Sequence, residues 1–228
     1  MFDSMVNCME SNVNLDDLEK ILFNQLRSNF YFLLDSEMCT LSEAIPIAMK
    51  RVEKCFKSIN NKYYYNEEKV VFNPFHSGQY LIFLYYLSNS IYKLFGDEAL
   101  ASKLYFLNKI MNSIDLYYQV EMPDVFFTEH PVGTVIGRAK INNNFAVYQN
   151  CTIGGSYIDN KIYYPEIAMN VTLFSYSCVL GKSIIGENTI VSSHCYIKNE
   201  IIPSNSIVFG SSPNIIIKKN NKNINFFK

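Results

Sequence analysis

From Val135 onward an aliphatic side chain returns at every sixth residue, and this rhythm limits the fold more than any other feature of the chain. The series is Val135, Ile141, Val147 and Ile153, then, after a break, Ile167, Leu173, Val179, Ile185, Val191 and Ile197. Four residues after each member except Ile153 comes a position that is mostly small: Ala139, Phe145, Cys151, Val171, Ser177, Ser183, Thr189, Cys195 and Ile201. A period of six matches neither the roughly 3.6 of a helix nor the simple alternation of a strand. It suits a solenoid whose repeat is one short strand and one corner, three hexads closing one coil. The aliphatic residue of each repeat then points inward and stacks on its equivalent one coil away. Small side chains fit the narrow interior, and backbone hydrogen bonds run between coils as in a parallel sheet.

The break is informative. Ile153 and Ile167 are fourteen residues apart instead of six, so about eight residues leave the coil as an exposed loop, with SYIDNKIYYPE as its body. Loops that interrupt a rigid scaffold are where sites are usually built. Upstream, from residue 14 to about 120, the spacing is helical over NLDDLEKILFNQL, LSEAIPIAMKRVEKCFKSI, SGQYLIFLYYLSNSIYKLF and EALASKLYFLNKIMNSIDLYY. Asn14 and Ser42 are the expected N-caps, and NPF at Asn73 marks a break before the third helix. That helix is apolar nearly all round, which predicts burial. The expected organisation is α+β by domain: a helical domain over 1–119, a parallel β-helix with one extruded loop over 120–213, and a tail over 214–228.

A formal net charge of −1 supplies no basic surface for nucleic acid or an anionic membrane. The longest apolar run, YLIFLYYL, is too short to span a bilayer, and MFDSMVNCMESN lacks the basic-then-apolar pattern of a leader, so a cytoplasmic protein is expected. Six cysteines (Cys8, Cys39, Cys55, Cys151, Cys178, Cys195) show no CxxC pair or metal-ligand spacing and read as reduced and structural; no metal is expected.

The hexads IGENTI and VLGKSI, the extruded loop and the closing IPSNSIVFGSSPNIIIKK resemble the hexapeptide-repeat acyltransferases. Within them, the helical N-terminal half, EHPVGTVIGRAKI and YQNCTIGG resemble serine O-acetyltransferase. The likeness covers roughly Val120 to Lys218, and the helical half only in layout and in Phe75–His76 before a long helix. It implies a left-handed parallel β-helix, transfer of acetyl from coenzyme A to an acceptor hydroxyl, and a homotrimer or a dimer of trimers with the site shared between subunits.

Such a transfer needs a base, donors for an oxyanion and a slot for the carrier; histidine, with an unperturbed pKa of about 6.5, suits the first role. Of His76, His130 and His194, His130 matches the family's catalytic histidine. Its orienting carboxylate is expected to be Glu121, with Asp124 and Glu129 as competitors, and Glu129 also stands where the family holds the acceptor. His76 is a candidate to reach the acceptor from the helical domain. His194 reads as an outward position, and a His194–Cys195 nucleophile pair is disfavoured because adjacent side chains diverge. Resemblance places coenzyme A against Gly154, Gly155, Ser175 and Ser193, with Lys218 or Lys219 near its phosphates. One departure stands out: before Pro165, where serine acetyltransferases carry a second histidine contacting the amino acid, this chain has Tyr164. That makes a sugar hydroxyl, in a nucleotide sugar or surface polysaccharide, the alternative acceptor, since the loop offers Tyr157, Tyr163 and Tyr164 for stacking. A zinc hydratase on the same scaffold would need more histidines, and a scaffold subunit without catalysis is the remaining alternative.

Overall fold

The computed structural model describes residues 9–30, 34–66, 68–221 and 225–228. It comprises two compact units, 1–112 with Lys228, and 113–227. Cys8 and most of the N-terminal segment read above lie outside the described residues.

Among the described residues the first unit holds four α-helices, α1 (Leu15–Phe30), α2 (Asp35–Lys57), α3 (Ser77–Ser90) and α4 (Glu98–Asn112), a π-helical turn over Ile91–Phe95, and a short parallel pairing of Met9–Ser11 with Val70–Phe72. Asn14 caps α1, accepting from the Asp17 amide at 2.8 Å. Ser42 is not a cap: α2 starts at Asp35, where the Leu34 amide donates to the Glu37 carboxylate at 2.9 Å. The Ser42 hydroxyl instead bonds within the helix to the Met38 carbonyl and to the Glu19 side chain. Every residue of α3 from Gly78 to Ser90 is buried, as its all-round apolarity predicts. Its polar positions are paired: Gln79 bridges the Asn73 amide and the Tyr63 carbonyl, and Arg51 donates to Asn89 Oδ1 and Ser90 Oγ. The fourth helix stops at Asn112 because Ser113 turns left-handed, with φ 53°. Asp115–Leu116 already pairs with Val135–Ile136, so the β-helical unit begins a few residues before the 119/120 boundary read from the pattern.

The second unit is the three-sided solenoid. On side one, Asp115–Leu116, Val135–Ile136, Thr152–Gly154, Cys178–Leu180 and Tyr196–Lys198 stack in parallel. Side two stacks Lys140–Ile141, Glu166–Ile167, Ile184–Ile185 and Ile201–Ile202. Side three stacks Phe126–Thr128, Phe145–Val147, Val171–Leu173, Ile190–Val191 and the start of Ser206–Ser211. Each inner column is a run of buried aliphatics, for example Ile136, Ile153, Val179 and Ile197. Val135, a member of the six-residue series, and Ile201, four residues after the member Ile197, depart from the expected placement. Val135 and Ile201 are 39% and 72% exposed; their neighbours Ile136 and Ile202 point inward, because the hexads Ile136 to Ile141 and Ile197 to Ile202 are one residue short. Since successive strand residues face opposite sides, one missing residue exchanges the inward and outward positions.

The corners explain the asparagines. Asn144, Asn170, Asn188 and Asn205 all take left-handed φ, between 53° and 62°, at one corner. Asparagine tolerates that region better than most side chains. Their amides link the coils, Asn170 Nδ2 to Asn188 Oδ1 at 3.1 Å and Asn188 Nδ2 to Asn205 Oδ1 at 2.8 Å. The tail is not free of the sheet: Asn214–Lys219 returns antiparallel along Ser206–Ser211. Phe226 then lies against the rings of Phe127 and Tyr148, at 5.8 and 6.1 Å.

Candidate active site

His130 sits at a corner of the solenoid that is longer than its counterpart on the next coil. Thr128 pairs with Val147 and Ile136 with Ile153, so the first coil uses two more residues between these positions than the second. The surplus is taken up in the turn His130–Pro131–Val132, where His130 and Val132 are exposed and Pro131 is buried, with His130 at φ 47°. This turn folds the imidazole back on the preceding side chain, and Nε2 lies 3.2 Å from Glu129 Oε1. The ring is open, 82% exposed, whereas the Glu129 side chain is 32% exposed. Glu121 and Asp124 are exposed, and the carboxylate within ion-pair distance of the ring among the described residues is that of Glu129.

Across the ladder, the Glu129 amide donates to the Val147 carbonyl, which brings Tyr148 beside it. Burial, and then the Glu129 charge, push the Tyr148 phenol above its ordinary pKa. Two buried side-chain oxygens lack a partner among the described residues, Thr128 Oγ1 and Gln149 Oε1, and they flank His130 on its own coil and on the next. Tyr148 and Gln149 belong to no motif in the sequence, and Tyr148 comes beside Glu129 only through the pairing of adjacent coils.

The broken hexad is a β-hairpin. Ser156–Ile158 pairs antiparallel with Lys161–Tyr163 through Asp159 and Asn160, both left-handed, the requirement of a type I′ turn. Gly155 lies under this hairpin: a Cβ there would come within 2.9 Å of the Ile162 and Tyr164 side chains. At Gly154 nothing lies within 4 Å of the same position. Tyr164 in turn forms one wall of an open cleft of about 300 Å³ with Tyr117, Gln119, Val120, Gly137 and Arg138.

Other predicted residues are spread along the unit. Ser175 and Ser193 stack on successive coils with hydroxyls 3.2 Å apart, and beside them the rings of Tyr176 and His194 lie parallel at 4.8 Å. Cys195 is fully buried, and burial and then Cys178 push its thiol up to about 11, so it has none of the character of a nucleophile. Lys218 is on the returning strand, its ammonium 5.7 Å from the Phe209 ring centre. His76, in the helical unit, caps α3, its Nδ1 accepting from the Gln79 amide at 3.3 Å. Among the described residues no group of three or more histidine, cysteine or acidic side chains is placed to hold a metal, and no helix is long and apolar enough to cross a membrane.

No family model matches the chain. A putative serine acetyltransferase of Schizosaccharomyces pombe is 26% identical over 141 residues, which is 61% of this chain and 50% of that protein. The serine acetyltransferase of Bacillus pumilus is 27% identical over 158 residues, 66% of this chain and 68% of that one. The chain thus spans about half the length of the yeast relative. Among solved structures, the serine acetyltransferase of Neisseria gonorrhoeae superposes with a TM-score of 0.68 at 19% identity, covering 90% of this chain and 81% of that one. Further matching serine acetyltransferase structures were solved with coenzyme A, with cysteine and with serine. In sequence and in fold the chain is serine acetyltransferase-like. Helices followed by a left-handed parallel β-helix, as the resemblance implies, is the fold that this chain shares with serine acetyltransferase structures.

Proposed function

We propose that the protein is an acetyl-CoA-dependent O-acetyltransferase that uses His130 as general base, with L-serine as the acceptor. The observation that carries this reading is the Glu129–His130 pair on the lengthened corner. A carboxylate on Nε2 fixes the tautomer with the proton on that nitrogen and the lone pair on Nδ1. Nδ1 then takes the proton of the acceptor hydroxyl as its oxygen bonds to the thioester carbonyl carbon. The oxyanion collapses, the carbon–sulfur bond breaks, and the thiolate leaves with the proton that His130 returns. No acyl-enzyme forms.

Coenzyme A fits the open position at Gly154, where the backbone can be approached closely, and the polar Ser175–Ser193 column, with Lys218 towards the phosphates. The complexes of serine acetyltransferases with coenzyme A and with serine support this co-substrate and acceptor. Tyr164 belongs to the acceptor side of the site. The exposed His130 ring and outward side chains such as Ile184 and Ile201 favour a homotrimer whose sites lie between subunits, or a dimer of such trimers. The test is thiol release from acetyl-CoA with L-serine and with free and nucleotide-linked sugars as acceptors. Release that depends on serine is the expected result; release with none of these acceptors overturns the reading.

A further inference from the structure

The cleft beside Tyr164 holds a cation without an anion. Arg138 and Tyr164 lie 26 residues apart, yet they are equivalent positions on adjacent coils, each two residues before the paired Lys140 and Glu166. The hairpin takes up the intervening length. The Arg138 guanidinium stands over the Tyr164 ring, 5.5 Å from its centre, and both line the cleft. Next to it, Lys182 stands over the Tyr163 ring, also at 5.5 Å. Among the described residues neither cation has a carboxylate within ion-pair distance, whereas nearby Lys140 is paired with Glu166 at 3.3 Å. The ring of Tyr164 also covers Gly155, so the cleft adjoins the proposed coenzyme slot.

We propose that Arg138 is the acceptor-recognition residue: it binds a carboxylate of the acceptor in the cleft walled by Tyr164, with Lys182 adding to the local positive potential. This deepens the acetyltransferase reading and rests on it. A planar guanidinium matches a carboxylate in a bidentate geometry, and stacking on an aromatic face holds the fork in place before the ligand arrives. Tyrosine at 164 leaves the positive charge to a neighbouring side chain, and Arg138 is the one against its ring.

The experiment compares L-serine with L-serinamide, which keeps the hydroxyl and amine and lacks the carboxylate, in the wild type, Arg138→Met and Arg138→Lys. The wild type is expected to prefer serine, and Arg138→Met to lose that preference through a rise of about 10- to 100-fold in the KM for serine. Its KM values for acetyl-CoA and for serinamide stay within about 2-fold, and Arg138→Lys retains part of the preference. A preference that survives in Arg138→Met overturns the assignment. So does a rise confined to the KM for acetyl-CoA, which would give the cation to the coenzyme's phosphates. A wild type that acetylates only uncharged sugars overturns the carboxylate and leaves acetyl transfer standing. A wild type that neither turns over nor binds serine by calorimetry overturns the serine reading together with this one.

Discussion

The coils above the hairpin and the coil below it obey the same repeat and spend it differently. Above, from Ile167 to Val208, buried polar side chains such as Ser183 and Thr189 bond to corner carbonyls, and the asparagines link coil to coil. Below, the first coil is two residues too long at His130, the hairpin breaks the next, and both orphaned buried oxygens, at Thr128 and Gln149, flank that turn. In the regular coils no buried side-chain oxygen of a described residue is left without a partner. The irregular coil gathers an open imidazole, a paired carboxylate and an unpaired guanidinium. Under the proposed function, substitutions at His130 and substitutions in the regular backbone should divide between activity and stability.

The largest effect belongs to the irregular coil. His130→Asn should lower kcat for thioester consumption by about 10²–10⁴-fold, the usual worth of a positioned general base. The melting temperature should hardly move, because the ring is exposed. Unchanged turnover would remove His130 from the mechanism. The opposite partition is expected at Gly186, in the regular coils. A Cβ there would lie 2.4 Å from the Ser204 amide nitrogen of the next coil, and backbone cannot step aside as a side-chain tip can. Gly186→Ala should cost about 1–3 kcal/mol of stability by denaturant unfolding. Gly154→Ala, with open space at the same atom, should cost less than about 0.5 kcal/mol and instead raise the KM for acetyl-CoA. Equal destabilisation by the two would mean that the slot at Gly154 is ordinary packing.

This partition also decides what the sequence discloses. The period of six specifies strands, corners and parallel stacking, because these need only the recurrence of Ile, Val and Leu. It does not reveal that Ile136 and Ile202 replace Val135 and Ile201 at the inward positions, since both candidates at each site are aliphatic and a shortened hexad leaves no mark in composition. EHPVG marks His130 as the candidate base. The contact of Glu129 with that ring is not legible, because it rests on a left-handed turn at the histidine itself. The pairing of Arg138 with Tyr164 is hidden in the sequence for a related reason: the two are 26 residues apart and become neighbours only when the hairpin is subtracted from the coil.

A smaller effect tests the asparagine corner. At φ 53°, Asn188 both occupies a strained region and joins two inter-coil hydrogen bonds. Asn188→Ala loses both advantages and should cost about 1–2 kcal/mol, while Asn188→Gly removes only the bonds. If the two variants melt alike, backbone strain is not what places asparagine there.

The smallest effect concerns the interior of the same coils. Cys151 and Cys195 occupy the narrow inward positions expected from the repeat, and both thiols are pushed upward, chiefly by burial. For Cys195 the shift runs from 9.0 to about 11. A raised value in the folded state means that the fold favours the neutral thiol. The associated stability is complete below the unfolded value of 9.0 and is lost as pH rises towards 11. Wild type should therefore lose about 1 kcal/mol more than Cys195→Ala between pH ~8 and pH ~10. Tyrosines with raised values titrate in both proteins and cancel in the difference. Parallel pH profiles would mean that the Cys195 thiol is as well solvated as in the unfolded chain, and so that the coil interior is wet.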